Sequence, residues 1–91
     1  MDLESIFWKL TALQKEICAI QSHSQVKVFH VSLDSLTQKL LSLDVSVKPI
    51  LRRWCMKIVN QCNSKISEIS MFFEVLFETD FKMWNMICIC N

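Results

Sequence analysis

The chain has 91 residues, a net charge of +1 and a hydrophobic fraction of 52%, which allows one small domain and leaves little room for a deep enzyme pocket. Only 21% of the residues are charged, so apolar surface exceeds what one small core hides, and a partner or self-association is expected to cover the surplus. Glycine is absent and proline occurs once, at Pro49. That composition excludes phosphate-cradling loops and primed hairpin turns, both of which need backbone at positive φ.

The first predicted element begins after Asp2, a residue suited to capping a helix. Leu3, Ile6, Leu10, Leu13, Ile17 and Ile20 then repeat in alternating steps of three and four, which places them on one stripe of a helix. Phe7 and Trp8 flank the stripe, while Lys9, Lys15 and Glu16 fall off it, as a solvated face requires. The helix is expected over about residues 2–21, ending in the polar connector Gln21-Ser22-His23-Ser24-Gln25.

Val26 to Val31 alternates and is β-branched, the texture of a short strand. Phe29, Leu33, Leu36, Leu40, Leu43 and Val47 nevertheless keep a longer helical rhythm, and an isolated strand would find no pairing partner. A second helix is therefore predicted over about 26–43. Pro49 breaks it, because proline lacks an amide hydrogen and disfavours helical geometry in the preceding residue.

A third helix is predicted over about 49–78, with Ser46 as a cap and an apolar stripe of Leu51, Cys55, Ile58, Cys62, Ile66, Ile69, Phe73 and Leu76. The fold expected is all-α: three amphipathic helices forming one domain over residues 1–78, as an antiparallel three-helix bundle or a coiled-coil-like helical hairpin. Residues 79–91 form a hydrophobic C-terminal tail that includes Trp84, Ile87 and Ile89.

Charge divides unevenly along the third helix. Residues 48–65 hold Lys48, Arg52, Arg53, Lys57 and Lys65 without an acid, whereas residues 66–91 hold Glu68, Glu74, Glu78 and Asp80 against Lys82. This order opposes the helix macrodipole, so local helix stability did not select it. Antiparallel pairing of such a helix with itself or another would bring unlike halves together. The other readings of Lys48, Arg52, Arg53 and Lys57 are a solvated face or a basic patch for phosphate, with Trp54 available for stacking. A sequence pI of 7.6 lacks the strong basicity of a nucleic-acid module, so nucleic acid is not the expected partner.

The cysteines are Cys18, Cys55, Cys62, Cys88 and Cys90, an odd number without framework spacing. The opening Met1-Asp2-Leu3-Glu4 lacks the pattern of a secretory signal. A reducing intracellular setting, cytoplasmic or nuclear, is expected. Zinc would need repeated close pairs, and Cys88-x-Cys90 is the single one, so no metal and no cofactor are expected. No spacing of thiol, histidine and carboxylate marks a nucleophile with its base, and the chain is not read as an enzyme.

Cys88 does stand fourth from the end, the position a prenyl transferase reads, although Asn91 is not a usual final residue and no polybasic run precedes it. The function expected is a non-catalytic protein-interaction or scaffolding element. Its partner, another protein or a second copy, would meet Leu3, Ile6, Leu10, Leu13, Ile17 and Ile20, with Trp8 and Trp54 beside them. If the three stripes face one another they are core, and the partner surface falls to Trp8, Trp54 or the tail. The alternative is a peripheral membrane element held by the basic segment 48–57 and a tail lipidated at Cys88 or Cys90.

Overall fold

A computed structural model describes the backbone of residues 2–90 and the side chains of residues 2–74. Helix α1 spans Leu3–Glu16 and tightens into a 3-10 turn at Ile17–Ala19; α2 spans His23–Ser42 and α3 spans Pro49–Cys90. Among the described residues no strand is present, and Val26–Val31 lies inside α2. The expected all-α bundle is therefore the fold.

Local chemistry explains each helix start. The Ser5 amide donates to the Asp2 carboxylate at 2.8 Å, which satisfies one of the amides that a helix N-terminus leaves without a partner. At α2 the Ser22 hydroxyl accepts from the Gln25 amide, and the Gln25 side chain accepts in return from the Ser22 amide at 3.1 Å. This reciprocal capping box starts α2 at His23, three residues earlier than the apolar rhythm suggests. Ser22-x-x-Gln25 was visible in the sequence as that signal.

The start of α3 differs from expectation. Ser46 does not cap it; its amide and hydroxyl both donate to the Asp44 carboxylate at 2.9 Å, forming an Asx turn. The Lys48 carbonyl instead accepts from the Arg52 amide at 3.0 Å, and Pro49 takes the first helical position, where a missing N–H costs nothing. Lys48 itself has φ 44°, a left-handed conformation that a chain without glycine must impose on a side chain bearing a Cβ. An ion pair between Lys48 and Glu4 ties this corner to α1.

The helices run up, down and up. Glu4 meets Lys48, Phe7 meets Trp54 and Gln14 hydrogen-bonds Gln61 at 3.0 Å, so α1 and α3 lie parallel with α2 antiparallel to both. The core contains Leu3, Ile6, Leu10, Leu13 and Ile17 from α1 and its 3-10 extension, Val26, Phe29, Leu33, Leu36 and Leu40 from α2, and Cys55, Val59, Cys62 and Ile66 from α3. Each large aliphatic side chain taken fully from water stabilises the fold by roughly 1.5 to 3 kcal/mol before entropy is counted. No buried side-chain polar atom lacks a hydrogen-bond partner among the described residues.

Two details depart from the predicted stripes. On α3 the buried residue is Val59, whereas Ile58 is only partly buried. α1 and α2 together claim a strip of α3 turned slightly from the one that the sequence rhythm selects. Val47, placed on the α2 stripe by its spacing, lies half exposed in the connection after Ser42.

Helix α3 has 42 residues against 20 in α2. At about 1.5 Å rise per residue it accounts for the 65 Å length of a molecule only 19 by 17 Å across. It runs past the expected end near Glu78. The tail side chains, Cys88 and Cys90 included, lie outside the described residues.

Candidate functional site

The seam of Leu3, Ile6, Leu10, Leu13 and Ile17 is buried, and Ile20 packs at its edge. Leu33, Leu36 and Leu40 of α2 and Cys62 and Ile66 of α3 close over it. The chain's own helices thus occupy the stripe through which a partner was expected to bind. Of the residues expected to meet a partner, Trp8 and Trp54 stay outside.

Trp8 is 67% exposed and Trp54 is 59% exposed. They stand 46 positions apart in sequence, yet the parallel packing of α1 on α3 brings both against Phe7. The Phe7 ring centroid is 5.4 Å from that of Trp8, edge to face, and 6.4 Å from that of Trp54, within the range at which aromatic quadrupoles attract. One turn before Trp54, Ile50 is also largely exposed. A partly buried ring thus fixes two exposed indoles on a shared ridge of two helices. Phe7 and Ile50 were not singled out by spacing; Phe7 stands one position off the α1 stripe, which was its signal in the sequence.

The expected basic patch divides. Lys48 is paired with Glu4. Arg52 turns inward, and its Nη1 donates to the carbonyls of Leu40 at 3.1 Å and Leu43 at 3.3 Å, where the last carbonyls of α2 carry the negative end of its dipole. Arg52 therefore closes the end of one helix from the first turn of the next. Arg53 and Lys57 are exposed and make no ion pair among the described residues, with Lys57 one turn beyond Trp54.

Among the described residues four titratable groups, two thiols and two carboxylates, are clearly shifted. Burial pushes the Cys55 thiol above its ordinary value, against a weaker opposing effect of Arg52, and burial does the same to Cys62. Both stay protonated near neutrality, a state that is neither nucleophile nor metal ligand. The Asp2 carboxyl is held low by the Ser5 amide and then its hydroxyl, and Asp44 is held low in the same order by Ser46. His30 faces Asp34 at 3.5 Å on the exposed side of α2. Among the described residues no three His, Cys, Asp or Glu side chains gather as a metal site, and no helix is long and apolar enough to cross a membrane.

Compared with known proteins, the chain matches no family model, no curated protein and no solved structure at a significant level.

Proposed function

We propose that this chain is a non-catalytic interaction element whose partner-binding surface is the ridge of Trp8, Phe7 and Trp54. The observation that carries the reading is the convergence of two exposed indoles on one half-buried ring while the α1 stripe from Leu3 to Ile17 is consumed in the core. A bundle that hides Leu10 and Leu40 completely leaves Trp8 and Trp54 largely in water. Tryptophan burial against a partner dominates many interfaces, since each ring removes roughly 150 to 250 Å² from water and has few rotamers to immobilise.

A free exposed thiol at Cys18 and free buried thiols at Cys55 and Cys62 support a reducing intracellular setting. With Lys48 paired to Glu4 at the surface and Arg52 bonded to the end of α2, the described part of the basic segment offers Arg53 and Lys57 unpaired to an anionic membrane, too few for stable attachment without a second signal. A protein surface is the better-supported partner.

The test is site-specific photocrosslinking in cells with a benzophenone amino acid at position 8, and at position 27 on the exposed face of α2 as control. Protein adducts at position 8 that disappear with Trp54→Ala are expected. Equal adducts at both positions, or adducts indifferent to Trp54→Ala, would refute the assignment, as would crosslinking to lipid alone.

A further inference from the structure

The solvent face of α3 contains a second pattern, distinct from the core stripe. Ile50, Trp54, Lys57, Gln61, Ser64, Glu68 and Met71 follow one another in 4-3-4-3-4-3 steps, the spacing of a coiled-coil seam. All seven are exposed: Ile50 is 69% and Met71 is 64% accessible, and Phe72 beside Met71 is 60% accessible. The core residues Cys55, Val59, Cys62 and Ile66 lie on the opposite side of the same helix. Within the described bundle the seam is touched only at its α1 edge, where Gln14 donates to Gln61 at 3.0 Å and the Phe7 ring lies 6.4 Å from Trp54, and all seven residues stay open to a further helix.

Its order is self-complementary. From the midpoint between Gln61 and Ser64, the outward sequence is polar, then charged, then large and apolar on both sides, with the charge positive on one side and negative on the other. A two-fold axis through that midpoint lays α3 antiparallel on a second copy of itself. Trp54 then meets Met71, Lys57 meets Glu68 and Gln61 meets Ser64, each contact occurring twice as an isologous interface requires. The flanking Arg53 falls opposite Phe72, the arrangement that lets a guanidinium lie over an aromatic ring.

In a parallel pair Lys57 would face Lys57 and Glu68 would face Glu68. Like charges in register penalise that arrangement, so charge selects the antiparallel one. Charge complementarity also accounts for the placement of basic residues early and acidic residues late on α3, an order the helix dipole opposes.

We infer that the occupant of this face is a second copy of the chain, docked antiparallel along α3 from Ile50 to Phe72. The inference extends the interaction-element reading by naming the partner, and it shares Trp54 with that ridge. The seam spans about 33 Å of helix, and its polar centre makes the dimer weak and salt-sensitive.

The experiment is sedimentation velocity on the reduced full-length chain over a wide concentration range, comparing wild type, Lys57→Glu, Glu68→Lys, the double variant and an equimolar mixture of the two single variants. Far-UV circular dichroism checks that each remains helical, as expected for changes at exposed positions. Each single change sets like charges against one another twice and should weaken the dimer by about tenfold or more. The double variant restores opposite charges at both contacts and should restore the dimer, and the two single variants should pair with each other when mixed. A wild type that stays monomeric throughout, or a dimer that ignores the single changes or is not recovered by the double, would overturn the inference. Because these variants leave Trp8, Phe7 and Trp54 intact, position-8 adducts on a monomeric chain would sink the dimer while preserving the broader reading.

Discussion

Between Pro49 and Glu74, α3 presents two unlike faces. Its inner face is built from small and medium side chains, Cys55, Val59, Cys62 and Ile66, all at 4% exposure or less, whereas its outer face carries Ile50, Trp54, Met71 and Phe72 at 59% or more. The small inward residues let α1 and α2 lie close to α3, and the larger aliphatic residues of those two helices fill the core. Placing the bulkiest apolar side chains in water gains an isolated monomer nothing, because apolar area left exposed contributes no stability. The contrast separates residues that make the fold from residues available to a partner.

The sharpest way to break this division is to open a cavity in the core. Leu40, fully buried, should cost roughly 2 to 5 kcal/mol when changed to Ala. That is a large share of the stability of so small a domain, and urea unfolding would read it. A loss within the surface range of about 0.5 kcal/mol would mean that the core is not packed as described.

Arg52 and Arg53 test the same division between adjacent positions. Arg52→Ala should destabilise the protein by about 1 kcal/mol, because the carbonyls of Leu40 and Leu43 lose a charged donor at a partly buried site. Arg53→Ala should stay within about 0.5 kcal/mol. Equal effects on the unfolding midpoint would remove the distinction between the structural and the solvent-directed arginine.

The smallest effect lies in alkali. Cys55 and Cys62 have thiols raised above the ordinary 9.0 by burial. Their protonated forms fit the core, so this contribution is complete below the unfolded value and is lost as pH rises through the raised folded values. Denaturant unfolding at about pH 8 and about pH 10.5 should show that loss, and a Cys55→Ala, Cys62→Ala variant should flatten it. A slope indifferent to the substitution would assign the alkaline loss to other groups.

Much of this protein was already legible in its sequence. Helical periodicity identified the buried set on α1 and most of that on α2, because a residue's face on a helix depends on local spacing alone. The absence of glycine and the break at Pro49 marked a few helices with short connections. Asp2 announced its cap, and Ser22-x-x-Gln25 carried a start signal that the apolar rhythm concealed. Those features arise from interactions within a few residues of chain.

Tertiary structure alone decided the rest. Whether the α1 stripe met a partner or the chain's own helices depended on α2 and α3 folding back over it. Val59 rather than Ile58 entered the core because two neighbouring helices, not one helix's period, set the buried arc. The union of Trp8 and Trp54 around Phe7, and the capture of Arg52 by the end of α2, join residues too far apart for any local pattern to link. Spacing along a chain encodes which residues share a helix face; which faces then meet is decided by the packing that buries the greatest apolar area without leaving polar groups unsatisfied.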